Sequence, residues 1–112
     1  MKRPKITYIL ELTKKCNNNC LYCYNVWKKN KHYPKKELDY NGWQKVIDNL
    51  TTYTKPFRFG ISGGEPLLHK EFFKILEYLQ KTKVPLTLIT NGTQLNRDKI
   101  FQCLKCGITL FE

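Results

Sequence analysis

Short apolar runs alternate along the chain with longer stretches in which apolar residues recur every three or four positions. Short runs rich in β-branched and aromatic residues are typical of buried strands, and the longer period is typical of helices that bury one face. The pattern predicts strands at residues 5–13, 57–61, 86–89 and 108–111. It also predicts four helices. The first begins within residues 21–28 and ends at Pro34, and the second follows an N-cap at Asp39. The third runs from about His69 to Lys81, and the fourth extends from an N-cap at Asn96 to Gly107.

This alternation of strands and helices predicts an α/β fold with a parallel sheet built from βαβ units. In such sheets, ligands bind at the carboxyl ends of the strands. Three unusual loops, at residues 16–23, 62–66 and 90–92, each follow a predicted strand. We therefore expect these loops to gather on one rim of the sheet and to form a single site.

Composition and charge narrow the classes of protein to consider. The 112 residues predict one domain, and the absence of a membrane-length apolar run or a secretion signal predicts a cytoplasmic protein. The net charge of +11 would suit an anionic partner such as nucleic acid. However, only three arginines contribute, and we interpret the lysine-rich residues 27–36 as a solvated connection. We expect no membrane or nucleic-acid partner. The alternative kept open is a non-enzymatic basic zinc or iron–sulfur module that engages nucleic acid.

Three of the five cysteines, Cys16, Cys20 and Cys23, are the candidate metal ligands. Thiolates at this spacing favour an iron–sulfur cluster, and three of them leave one iron of a four-iron cluster open to a substrate or cofactor. A zinc site is the alternative, but it needs a fourth ligand from elsewhere in the chain. Cys103 and Cys106 form a second pair, which we expect to be buried thiols rather than another metal site.

The remaining loops carry weaker signals. Gly63 and Gly64 let the backbone approach a ligand closely, and Glu65 would present a carboxylate there. A plain strand-to-helix turn explains the same residues, and the Asn91-Gly92 pair is also an ordinary turn signal. His69 has no second histidine near it and is expected at the surface. The function of each loop therefore depends on the others.

Taken together, the loops resemble the motifs of the radical S-adenosylmethionine (radical SAM) enzymes, over almost the whole chain. The resemblance rests on Cys-x3-Cys-x-aromatic-Cys at residues 16–23, Gly-Gly-Glu-Pro at residues 63–66 and Thr-Asn-Gly at residues 90–92. It implies a [4Fe-4S] cluster held by Cys16, Cys20 and Cys23, with S-adenosylmethionine on the open iron. In that family the reduced cluster transfers an electron to the sulfonium, which releases methionine and a 5′-deoxyadenosyl radical that abstracts hydrogen from a substrate.

The resemblance also implies contacts to S-adenosylmethionine. Tyr22 matches the aromatic residue that lies beside the adenine. The segment of Gly63, Gly64 and Glu65 matches the one that receives the methionine amino group. Asn91 is expected to line the same pocket, and no catalytic side chain is assigned.

The motifs are most similar to those of the branch that modifies peptides or proteins. The implied partners are therefore a peptide or protein substrate and an electron donor such as flavodoxin or ferredoxin. Activators of glycyl radical enzymes and cofactor-biosynthesis enzymes remain open.

The family fold is a partial (β/α)6 barrel, of which residues 1–112 would supply the N-terminal part, to about the fourth strand. We expect an incomplete core domain, either a truncated reading frame, a fragment or half of a split enzyme. Its last strand would be an exposed edge, and activity of the chain alone is left open.

Overall fold

The computed structural model describes residues 5–14 and 37–112, which contain four strands and three α-helices. In chain order the elements are β1 (Ile6–Glu11), α1 (Tyr40–Tyr53), β2 (Pro56–Ser62), a 3-10 turn (Pro66–Leu68), α2 (Phe72–Gln80), β3 (Leu86–Leu88), α3 (Arg97–Lys105) and β4 (Ile108–Phe111). The predicted strands and three of the predicted helices are confirmed, and the helix expected after the cysteine loop lies outside the described residues. No helix in this part of the chain is both long enough and apolar enough to cross a membrane.

The strands of the described chain form one parallel sheet in the order β1-β2-β3-β4. Tyr8 lies beside Phe59, which is followed across the sheet by Leu86 and then Ile108. Parallel strands need a crossover connection, and α1, α2 and α3 lie in the three connections between them. The predicted α/β fold with a parallel sheet is therefore confirmed, and β4 is an edge strand of the described sheet, with Leu110 45% exposed.

The helices cover one face of the sheet, because their apolar stripes join alternate strand residues in a single hydrophobic cluster. The predicted stripe of α1 is part of this core, through Trp43 and Ile47. Burying one side chain of this size stabilises the fold by about 1.5–3 kcal/mol. The buried members are Leu10, Leu12, Trp43, Ile47, Phe59, Ile61, Phe72, Ile75, Leu76, Leu79, Leu86, Leu88, Cys103, Cys106 and Ile108.

The opposite face of the sheet is more polar, and no helix of the described chain covers it. Arg58 lies across this face, where its Nη1 donates to Thr87 Oγ1 over 2.9 Å and to Thr109 Oγ1 over 3.4 Å. Gly60 leaves room there for a neighbouring side chain, since a Cβ at Gly60 would lie 2.7 Å from Ile9 Cδ1. Within the described residues, one face of the sheet therefore forms the core and the other carries no helix.

Local signals place the helix ends as predicted. Asp39 Oδ1 accepts from Gly42 N over 2.8 Å, and Asn96 Oδ1 accepts from Lys99 N over 2.8 Å, so both are N-caps. Each such cap stabilises a helix by about 1 kcal/mol. Gly107 follows α3 with a φ of +96°, a left-handed conformation that glycine adopts most readily.

Two predictions around the start of α2 are wrong. α2 begins at Phe72 rather than at about His69, because the Pro66–Leu68 turn ends in extended backbone at His69. His69 was expected at the surface but is only 5% exposed. Its Nε2 bonds to Leu38 O over 2.7 Å, and its Nδ1 bonds to Glu71 N over 3.0 Å. The Glu71 amide can only donate, so Nδ1 is the acceptor of that bond. We therefore assign a proton to Nε2, which donates to Leu38 O.

Cys103 and Cys106 are buried in the core, as predicted. Burial, and then the neighbouring Cys106, raises the pKa of Cys103 to about 11. Burial, followed by Glu77, also raises the pKa of Cys106. Both thiols are therefore protonated at neutral pH, whereas the thiolate is the form that binds metal. Within residues 5–14 and 37–112, no group of three His, Cys, Asp or Glu side chains could hold a metal ion.

Candidate functional site

The carboxyl ends of β1, β2 and β3 meet at one edge of the sheet, which we call the rim. Residues 62–66 leave β2 at the rim and residues 90–92 leave β3 there, so the predicted gathering of these two loops is confirmed. The chain also leaves β1 at the rim, immediately before the cysteine loop. The predicted site residues Cys16, Cys20, Tyr22 and Cys23 lie outside the described residues, and their roles stay predictions.

The glycine pair after β2 packs directly against the end of β1. Gly64 N donates to Thr13 O over 2.8 Å, and Leu12 N donates to Ser62 O over 3.0 Å. Gly63 has a φ of +134°, and a Cβ there would lie only 2.4 Å from Thr13 O. Glycine is therefore required at position 63 both by its backbone conformation and by the close approach of the Thr13 backbone. This contact holds the backbone that leads into the cysteine loop.

Glu65 is fully buried and joins the loop after β2 to the loop after β3. Its Oε1 accepts from Thr90 Oγ1 over 2.6 Å and from Leu67 N over 3.4 Å. Its Oε2 accepts from Asn91 N over 2.8 Å. Burying a carboxylate away from water costs free energy unless hydrogen-bond donors surround it. Hydrogen bonds to a charged acceptor are stronger than those between neutral groups. The structure thus brings together Glu65 and Asn91, two of the residues predicted for the site.

The turn after β3 is shaped by its own polar side chains as well as by Glu65. Asn91 Oδ1 accepts from Thr93 N over 2.9 Å and from Thr93 Oγ1 over 2.6 Å. Gly92 has a φ of +80°, and its N donates to Thr90 Oγ1 over 3.1 Å. The Thr90 hydroxyl therefore accepts from the turn and donates to Glu65, which gives it one orientation.

The other end of the cysteine-bearing segment is fastened to the same stretch of chain. After residues 15–36, the described chain enters α1, where Tyr40 N donates to Glu71 Oε1 over 3.0 Å. Just before that helix, Leu38 O bonds to His69 Nε2. Together with the contact between Gly64 and Thr13, these bonds join the described residues on both sides of residues 15–36 to residues 62–71. The loop after β2 is therefore the structural centre of the rim.

Sequence reasoning missed Thr13 and His69 as members of this arrangement, and it named Thr90 only as part of the Thr-Asn-Gly motif, without a contact for its hydroxyl. Thr90 carries a usable signal, because a threonine directly before Asn-Gly suits a local bond from side chain to backbone. Thr13 carries no such signal, because its partner is distant in the sequence. His69 has one local partner, Glu71 N, but its other partner, Leu38 O, is 31 residues away. Only the fold shows that the polar groups of these two residues are used.

Known proteins share both sequence and fold with this chain. The profile described as the Radical SAM superfamily matches residues 10–112. An S-adenosylmethionine-dependent nucleotide dehydratase from Selenomonas ruminantium is 34% identical over 91 residues, which cover 81% of this chain and 31% of that protein. A PqqA peptide cyclase from Bradyrhizobium diazoefficiens is 26% identical over 103 residues, which cover 92% of this chain and 26% of that protein.

The fold of the chain is also found in solved structures. Streptococcus suis SuiB bound to S-adenosylmethionine matches with a TM-score of 0.77 at 16% identity, over 95% of this chain and 24% of that one. At this identity the match shows the fold alone. The chain spans about a third of the first relative and about a quarter of the second.

Proposed function

This chain belongs to the radical SAM superfamily, and on that premise we propose that it holds a [4Fe-4S] cluster and S-adenosylmethionine in an enzyme that generates a 5′-deoxyadenosyl radical. One observation supports the proposal: residues 62–71 bond to described residues on both sides of the cysteine-bearing segment and, through Glu65, to the turn after β3. Ligands of parallel sheets bind at this edge. The three motifs therefore serve one site.

The available thiols fit an iron–sulfur cluster at the rim. The spacing of Cys16, Cys20 and Cys23 suits a cluster with one open iron. Cys103 and Cys106 are poor competitors for iron, because burial in the core raises the pKa of each thiol. When bound, the reduced cluster would supply an electron to the sulfonium of S-adenosylmethionine.

The protein's own residues are proposed to bind and orient S-adenosylmethionine. Gly63 and Gly64 would offer backbone atoms to the methionine amino group. Beside them lies the buried carboxylate of Glu65, which would favour an ammonium group through Coulomb attraction. Asn91 would border the same pocket, and Tyr22 would lie beside the adenine.

We propose that the substrate of this enzyme is a peptide or protein. The support is the similarity of its motifs to the peptide-modifying branch, together with the PqqA peptide cyclase among its relatives. The nucleotide dehydratase makes a nucleotide the substrate class to test against it. An electron donor such as flavodoxin or ferredoxin would reduce the cluster. The two substrate classes are separated by comparing release of 5′-deoxyadenosine with peptides and with nucleotides.

Anaerobic reconstitution with iron and sulfide tests the cluster. We expect about four irons per chain, and loss of that iron in Cys16→Ala, Cys20→Ala and Cys23→Ala. Cys103→Ala is the matched control, because it removes a thiol from the core and should leave the iron content unchanged. Adding S-adenosylmethionine should change the EPR spectrum of the reduced cluster.

Two results would contradict the proposal in different ways. A colourless protein that holds a single zinc ion would exclude the cluster and favour the alternative, a basic module that engages nucleic acid. Salt-dependent binding of single-stranded nucleic acid would then be the next measurement. A cluster whose EPR spectrum does not respond to S-adenosylmethionine would exclude cofactor binding by this chain while leaving the cluster in place.

A further inference from the structure

We propose that Glu65 is a positioning residue that sets the conformation of the turn at residues 90–92 and, through that turn, the shape of the S-adenosylmethionine pocket. The effect on the pocket rests on the proposed function, whereas the contact between the two loops requires no cofactor. The family resemblance assigns Glu65 to the amino group of the ligand. In the structure, its carboxylate lies among donors of the protein itself.

The acceptor capacity of Glu65 is mostly used within the protein. A carboxylate has about four lone-pair positions for hydrogen bonds. Oε1 uses two of them, for the Thr90 hydroxyl and the Leu67 amide, and Oε2 uses one for the Asn91 amide. About one position, on Oε2, is left for a ligand ammonium group. The side chain is 0% exposed, so its first role is to hold these donors.

The contact reaches beyond the residues that Glu65 touches. Thr90 Oγ1 donates to Glu65 and accepts from Gly92 N, so the carboxylate, the hydroxyl and the amide form one chain of hydrogen bonds. The bonds between Asn91 and Thr93 are local, and the backbone bond from Thr90 N to Glu112 O joins the turn to the end of β4 rather than to the loop after β2. Without the carboxylate, the Thr90 hydroxyl and the Asn91 amide lose their long-range acceptor. Residue 65 then no longer bonds the turn to the loop after β2.

Amide hydrogen exchange of the chain without cofactor tests the contact directly. Glu65→Gln replaces one carboxylate oxygen by an NH2 group, which faces a donor and cannot accept its hydrogen bond. We expect the hydrogen-exchange rate of the Asn91 amide to rise about tenfold, as for the loss of one such bond. Thr90→Val keeps the shape of the side chain and removes the hydroxyl, and should raise exchange at Gly92. Thr90→Ser restores the hydroxyl and should return exchange to the wild-type rate.

Affinity for S-adenosylmethionine, measured on the cluster-loaded chain by titration of the EPR change, tests the consequence. We expect Glu65→Gln and Thr90→Val each to weaken binding about tenfold, as for the loss of one such bond. The double variant should be no weaker than the weaker single variant, because both substitutions break the same chain of bonds. Thr90→Ser should bind with near wild-type affinity.

The proposal is overturned if Thr90→Val keeps wild-type exchange and affinity while Glu65→Gln alone binds weakly, since Glu65 would then act by touching the ligand. Fully additive losses in the double variant would overturn it too. If the wild-type cluster shows no response to S-adenosylmethionine, the proposed function fails, and the exchange rates alone decide whether Glu65 holds the turn. Circular dichroism identifies any Glu65 variant that fails to fold. In that case the exchange rates and affinities of the Thr90 variants test the proposal.

Discussion

A single methyl group added at Gly63 is expected to loosen the rim where β1 and β2 meet. Gly63 has a φ of +134°, and the new Cβ would lie 2.4 Å from Thr13 O and 3.1 Å from Thr13 N. These are backbone atoms of the buried segment that follows β1, and they cannot rotate away as a flexible side chain would. The segment after β1 must therefore move relative to the segment after β2.

The size of the effect follows from two contributions. A residue other than glycine in such a backbone conformation costs about 1–3 kcal/mol. Movement of Thr13 also breaks its 2.8 Å hydrogen bond with Gly64 N, which contributes about 1 kcal/mol. Gly63→Ala should therefore lower the free energy of unfolding by about 2–4 kcal/mol, a large share of the 5–15 kcal/mol (roughly) that is typical of a domain.

Urea denaturation followed by circular dichroism measures this loss, and Gly92→Ala is the matched control. Gly92 also has a positive φ, +80°, but a Cβ there would meet nothing within 4 Å. The control should lose only the cost of the backbone conformation, about 1–2 kcal/mol. Since Thr13 leads into the cysteine loop, Gly63→Ala should also reconstitute less iron than Gly92→Ala.

Equal losses of stability in Gly63→Ala and Gly92→Ala would refute the reasoning, because the close approach to Thr13 would then add nothing to the backbone cost. If Gly63→Ala is less stable but binds as much iron as the wild type, the two claims are separated. The contact between Gly63 and Thr13 would then be supported, and its link to the cysteine loop would be rejected. The slopes of the urea transitions must agree for these comparisons to report stability alone.

Two further predictions concern buried groups away from the glycine pair. His69→Ala should lower the free energy of unfolding by about 1–3 kcal/mol, because it leaves Leu38 O and Glu71 N without the imidazole; urea denaturation checks this, and wild-type stability would contradict the assigned bonds. Burial raises the pKa of Cys103 to about 11, so the unfolded thiol, with a pKa near about 8.5, loses its proton first. The free energy of unfolding should therefore fall as the pH rises from about 9 toward 11. Cys103→Ala should remove this part of the pH dependence, and an unchanged slope in that variant would show that other groups cause it.

Much of the fold can be predicted from the sequence, because its cause is local. The periodicity of apolar residues distinguishes strands from helices, and their alternation leads to a parallel sheet. Asp39 and Asn96 could be assigned as N-caps because each bonds to an amide only three residues ahead. The start of α2 could not be placed in this way. Extended backbone at His69 precedes the helix, and the buried imidazole of His69 bonds to Leu38 O, 31 residues away.

The sequence by itself determined the kinds of group that the rim would carry and the strand that each follows. Three cysteines, a glycine pair with a glutamate, and an asparagine–glycine turn are all visible as motifs. Only the tertiary structure decided which polar groups satisfy one another. Glu65 bonds to Thr90 and Asn91, and Gly64 bonds to Thr13. The physical reason is that a buried polar atom must find a partner, and among distant residues only the folded chain determines which atoms come within hydrogen-bonding distance.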